Sequence, residues 1–245
     1  MQKISQSFAQ VQFNANTFQL SNGLTIIHQY LPATPVVVSD IWVKAGAIAE
    51  PEAWSGMAHF LEHMIFKGSP NVMVGEFDWL IESTGGIANA ATSYDYAHFY
   101  LTTAAAHFEQ TLPCLADILL RAHIPDDEFI REREVVIEEI HSSHDDPDFI
   151  GYQALCQNAY EHHPYRRSIL GEKELLLEHT PNQMRCFHRT YYQPENMTIV
   201  IVGGIEQERA LALVHENFSQ FSVRSECPPS RIAVEPPVVS IRRQE

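Results

Sequence analysis

Two histidines and a glutamate fall within one short run, His59-Phe60-Leu61-Glu62-His63, and that run places a demand on the whole fold. Residues 55–66 read as one helix, with Ser55 as the expected N-cap. At about 100° per residue, His59, Glu62 and His63 share an arc of about 100°. Met57, Ala58, Phe60, Leu61, Met64 and Ile65 make the rest of the helix apolar, so it is expected to be buried on most sides. Buried imidazole and carboxylate groups need partners, and a metal supplies one. Histidines at i and i+4 are well placed to hold Zn²⁺ through neutral ring nitrogens. Glu62 then points to the same place, positioned to take a proton from a water there. Two ligands do not complete a tetrahedral centre, so the fold must bring a third from elsewhere.

Residues 124–141 are the best source for it. Pro125 and Asp126 open a helix there, with Asp127 and Glu128 in the first turn, where the helix dipole favours anions. Asp145-Asp146-Pro147 marks its end. Glu132 and Glu139 lie two turns apart and point between Val135 and Val136, at the edge of the apolar side made by Phe129, Ile130, Val135, Val136, Ile137 and Ile140. Glu134 and Glu138 point away, as solvated acids do. A carboxylate at a core edge is costly unless paired or metal-bound. On the helical wheel alone two readings stand level: a metal role, or side chains that reach water or pair with Arg131 or Arg133.

These stretches together resemble the M16 zinc metallopeptidases, the family of pitrilysin, insulin-degrading enzyme and the mitochondrial processing peptidase. The family pattern is His-x-x-Glu-His followed at a distance by Glu-Arg-x-x-x-x-x-Glu, here Glu132-Arg133 through Glu139. Four further stretches follow in family order: Asn22-Gly23-Leu24-Thr25, Gly85-Gly86-Ile87-Ala88-Asn89-Ala90-Ala91-Thr92, His163-Pro164-Tyr165 through Gly171, and Tyr192 through Met197. The resemblance implies one Zn²⁺ per chain held by His59, His63 and Glu139, with Glu62 as general base. It implies Glu132 as a second acid that orients a ligand. It also implies that Asn89 and Ala90 lie on an edge strand along which a peptide substrate pairs.

The order of elements predicts an α+β domain, with a mixed, mainly antiparallel sheet and helices packed on one face. Strand patterns occur at 18–20, 24–29, 36–43, 98–103, 198–202 and 238–241. Helical patterns occur at 55–66, 74–83, 108–122, 126–144, 150–160, 181–191 and 206–218. Several helices sit together between the strands near 103 and 198, so a regular alternation of strand and helix does not fit. Residues 1–222 are expected to form the metallopeptidase domain. Residues 223–245 carry two Pro-Pro pairs and read as a linker toward a second domain. The resemblance implies that such a domain or subunit, or a second copy in a homodimer, is the chain's partner.

A net charge of −15 argues against a nucleic-acid partner, which needs clustered Lys and Arg. The four cysteines are widely spaced, which fits a reducing compartment better than a disulfide framework. No apolar signal core or membrane-length run is present, so a cytoplasmic location is expected, or a periplasmic one if a signal has been removed. Tyr94 through Tyr100 is aromatic-rich and reads as alternating faces of a strand. His141 and His144 lie off the Glu132 and Glu139 face. The functional expectation is a zinc-dependent endopeptidase. The alternatives are a non-hydrolytic binding or assembly subunit, or a half-enzyme inactive without its partner.

Overall fold

A computed structural model describes residues 14–221. The expected strand at 238–241 and the linker at 223–245 lie outside the described residues. Six strands form one sheet: β1 (Asn16–Gln19), β2 (Thr25–Tyr30), β3 (Val36–Val43), β4 (Ile87–Thr92), β5 (Ala97–Ala104) and β6 (Met197–Gly203). Their order is β1-β2-β6-β3-β5-β4. Only β2 and β6 pair in parallel; the other neighbours run antiparallel. The helices are α1 (Met57–Ile65), α2 (Glu76–Ser83), α3 (Phe108–Leu120), α4 (Asp126–Ser143), α5 (Pro147–Ala159), α6 (Lys173–Glu178), α7 (Pro181–Tyr191) and α8 (Gln207–Phe218). This is the mixed, mainly antiparallel α+β domain that the order of patterns predicts.

The sheet is one-sided because its central strands alternate. On β3, Val37, Ser39, Ile41 and Val43 are buried, and on β5 Ala97, Phe99, Leu101 and Thr103 join them. Met197, Ile199 and Ile201 of β6 complete that inner face, which packs into one apolar core with the helices. The other face stays partly open, with Val36 and Val38 each 38% exposed. Of the aromatic stretch Tyr94 through Tyr100, read as strand, only the part from Ala97 lies in β5, Tyr94 and Asp95 forming a bend before it. On the open face His98 stacks between Trp42 and Tyr100 and meets Asp40 at 3.0 Å.

Two helices matter most for the site. α1 is fully buried at Met57, Ala58, Phe60, Leu61, Met64 and Ile65, as its composition requires. It crosses α4 through Phe60 and Phe129, whose ring centroids are 4.6 Å apart. Burying such a pair stabilises the crossing by several times the thermal energy, beyond a further ~0.5–1.5 kcal/mol for the aromatic contact itself.

The start of α1 corrects one expectation. Ser55 does not cap it. The cap position is Gly56, with φ 88° in the left-handed region and no side-chain bond. A distant acid does the work instead: Glu50 Oε2 accepts from Gly56 N at 3.0 Å and Oε1 from Ala58 N at 2.7 Å. Glu50 is 1% exposed, and burial pushes its carboxyl up to about 8 against the pull of those two N–H groups and Arg167. A second local pattern was not apparent in the sequence: α6 is a short helix of six residues, below the length at which periodicity declares itself. α5 begins at Pro147, three residues before the predicted start, because Asp146 accepts from Asp148 N and Pro147 opens the first turn.

Candidate metal centre

α1 presents His59 and His63 one turn apart, with ring centroids 4.8 Å apart. α4 crosses them with Glu139 and Glu132. Glu139 Oε2 is 3.6 Å from His59 Nε2 and 3.4 Å from His63 Nε2. Ligand atoms of the three residues all lie within 4.8 Å of one another, and among the described residues they form the one such group. Tetrahedral ligands about 2.0–2.1 Å from a zinc ion stand about 3.3–3.4 Å apart, close to the 3.4 and 3.6 Å that separate Glu139 from the two rings. The donor set, two imidazoles and one carboxylate, is that of an open catalytic site. His59 also has a buried Nδ1 without a hydrogen-bond partner, and its Nε2 is too far from Glu139 for a normal bond. Nε2 of His59 and Nε2 of His63 both face Glu139 Oε2.

Each side chain around this point has its own electrostatic setting. Burial drives His59 down to about 4, and the neighbouring His63 adds to the effect, so its ring stays neutral. Burial also works to lower His63, but its bonds to Glu139 and Glu132 outweigh that and hold it above the usual histidine value. The bond to His63 holds Glu139 below the usual carboxylate range. Glu132 is the more buried of the two acids; its Oε1 lies 3.0 Å from His63 Nδ1. Its other oxygen meets Lys67 Nζ at 2.5 Å. Of the two acids weighed on the helical wheel, Glu139 lies beside both histidines and Glu132 stands behind one of them.

Glu62 shares the α1 face with His59 and His63. Burial raises its carboxyl above the usual value, opposed by the hydroxyl of Thr92, whose Oγ1 donates to Glu62 Oε2 at 2.5 Å. Thr92 ends β4, the strand at one end of the sheet. Asn89 and Ala90 sit on the same strand, opposite Tyr100 and Phe99 of β5. Ala90 N donates to Asn89 Oδ1 at 2.9 Å, so the side chain of Asn89 fills the hydrogen-bonding position of that amide. His141 is exposed and meets Glu138 at 3.4 Å, away from the cluster. Lys67, Thr92 and Glu50 were not singled out by sequence reading. Lys67 had a signal, since His59, His63 and Lys67 recur at intervals of four. Thr92 lies inside a recognised stretch, but its contact with Glu62 needs the third dimension.

Residues 25–173 match the sequence model of "Insulinase (Peptidase family M16)". The chain belongs to the M16 peptidase family. Residues 179–245 match a second M16 model, described as the "Peptidase M16 inactive domain". Among M16 relatives, the chain is 33% identical over 201 residues to the zinc protease PqqE of Helicobacter pylori, covering 81% of this chain and 45% of that protein. It is 29% identical over 204 residues to the mitochondrial-processing peptidase subunit beta of Neurospora crassa, covering 83% and 43%. Among solved M16 structures, the periplasmic protease PqqL of Escherichia coli superposes with a TM-score of 0.82 at 27% identity, covering 91% of this chain and 25% of that one. The chain spans about half the length of the curated M16 relatives it matches. Among the described residues, no helix is long and apolar enough to cross a membrane.

Proposed function

We propose that this chain is the metal-binding half of a zinc endopeptidase, with one Zn²⁺ held by His59, His63 and Glu139. The observation that carries the reading is the convergence of those three side chains from two helices, with Glu62 on the same face. Zinc bound there would supply a Lewis acid and bring the pKa of a water toward about 7. Glu62 takes the proton of the attacking water and delivers it to the leaving amine. Its raised pKa suits it to hold that proton between the two steps. Thr92 fixes one oxygen of Glu62, and Glu132 orients His63.

A peptide would join the sheet as a further strand on β4. Its carbonyl would replace Asn89 Oδ1 at the Ala90 amide, freeing the Asn89 side chain to bind the peptide in turn. Main-chain pairing of this kind places little demand on sequence, which supports extended or unfolded polypeptides as the substrate class.

A second reading rests on length. A chain that spans about half of its relatives can be a half-enzyme that works only with a second M16-type domain or subunit, in a homodimer included, or a binding subunit that does not hydrolyse. Metal analysis and peptide cleavage separate these. About one zinc per chain, lost in Glu139→Gln and kept in Glu62→Gln, supports the ligand set. Cleavage that needs an added second half, and that Glu62→Gln abolishes, makes the chain a half-enzyme. Zinc without cleavage in any mixture makes it a binding subunit. No zinc in the wild type, even when supplied, overturns the reading.

A further inference from the structure

Lys67 stands just past the end of α1, one turn beyond His63, and its backbone N–H still reaches Met64 O at 3.1 Å. Its ammonium lies 2.5 Å from Glu132 Oε2, while Glu132 Oε1 lies 3.0 Å from His63 Nδ1. The far nitrogen of the same ring, Nε2, faces Glu139. Lys67, Glu132 and His63 therefore form one line that ends at the metal site. All three are largely buried, with side chains 23%, 11% and 21% exposed.

A buried carboxylate beside an imidazole has two options. It can accept from the ring or turn both oxygens elsewhere. Lys67 removes the second. It occupies Oε2 and balances the charge, which leaves Oε1 to accept Nδ1–H of His63. A proton fixed on Nδ1 leaves the lone pair on Nε2, where a metal needs it. His59 has no such support, since its Nδ1 is buried without a partner. One histidine of the pair is thus pinned and the other is not, and the pin is anchored by Lys67.

We infer that Lys67 is a positioning residue of the zinc centre, acting through Glu132 to orient His63. The inference rests on the zinc reading above. Its rival is an ion pair that merely ties α1 to α4, and the two differ in what they do to metal affinity.

The test is zinc affinity of the whole chain by competition with a chromophoric chelator. It compares the wild type with Lys67→Met, Lys67→Gln, Lys67→Arg, Glu132→Gln and the double variant Lys67→Met with Glu132→Gln, with melting of each metal-free protein alongside. Loss of a partner behind a ligand histidine weakens metal binding about 10- to 100-fold, and that is the expected result for Lys67→Met and Lys67→Gln. Lys67→Arg, which keeps the charge, restores most of it. In the Glu132→Gln background, Lys67→Met adds less than about twofold, because the line is already broken. Wild-type affinity in Lys67→Met or Lys67→Gln overturns the inference, whatever happens to melting. So does a double variant in which the two losses multiply. If either Lys67 variant fails to fold, the other and the double variant decide. A wild type that binds no zinc overturns the zinc reading itself, and the inference falls with it.

Discussion

Thr92 Oγ1 donates a 2.5 Å hydrogen bond to Glu62 Oε2, joining the last residue of the end strand β4 to the acid on α1. The contact couples two parts of the proposed chemistry: the strand along which a peptide would lie and the carboxylate that would move its proton. Hydrogen bonds to charged groups contribute about 1.5–3 kcal/mol. Thr92→Val keeps the shape of the side chain and removes the hydroxyl. It is expected to lower kcat of the assembled enzyme by about 10- to 100-fold while zinc content stays at the wild-type level. An unchanged kcat would mean that Glu62 needs no such partner.

The α1–α4 crossing sets the distance between the proposed zinc ligands, and Phe60 and Phe129 meet in it. Phe60→Ala should cost about 3–5 kcal/mol of stability, the range for truncating a buried phenylalanine. It should also weaken zinc binding, because Glu139 loses its fixed distance from the two histidines. Urea unfolding and zinc titration of the same preparation would check both. Lost stability with unchanged zinc affinity would show that the ligand geometry is held elsewhere.

Zinc uptake should depend on pH through His63. Glu139 and Glu132 hold its pKa above the ordinary value despite burial, so metal must displace a proton there. Affinity is expected to fall by about tenfold per pH unit below that raised pKa, one proton being released per zinc bound. The same shift stabilises the metal-free fold: the contribution is complete below about 6.5, the unfolded value, and is lost as pH rises through the folded one. Isothermal titration in two buffers of different ionisation enthalpy would count the protons. A count of zero would remove His63 as the group that competes.

Glu50 gives a test of the same sign at the start of α1. Burial raises its folded pKa from 4.5 to about 8, so between those values the folded state holds a proton that the unfolded chain releases. The stability this group contributes is therefore complete below 4.5 and declines as pH rises to about 8. Relative to Glu50→Gln, which cannot ionise, the wild type should lose stability across that window and change little above it. Thermal melts of both proteins over that range would show it. A flat difference would mean that Gly56 N, Ala58 N and Arg167 keep the carboxylate charged throughout.

Much of the site was legible because its chemistry is local on each helix. His59, Glu62 and His63 lie on one turn, and the i to i+7 spacing of Glu132 and Glu139 places both on one side of α4. What could not be read was the meeting of the two. Helical spacing says that Glu132 and Glu139 share a face, but the crossing of α1 and α4 decides which acid reaches Nε2 of both rings and which reaches Nδ1 of one. The strands were legible where β-branched residues run together, as in β3 and β6. β4 is built of small residues that carry no strand pattern, and it was found through its resemblance to family members alone. Glu50 escaped for another reason: nothing local distinguishes an acid that will cap a helix six residues later from an acid in a loop.

β4 closes the sheet at one end, and among the described residues its outer side meets no other strand. Proteins commonly protect such edges with lysine, proline or a bulge, yet Ile87–Thr92 contains no charged residue and no proline. An edge that lines up readily with any extended chain lines up as readily with a second copy of itself. The strand that would receive substrate is thus also an edge at which this protein can stick to itself, and a bound peptide should keep it dispersed in concentrated solution.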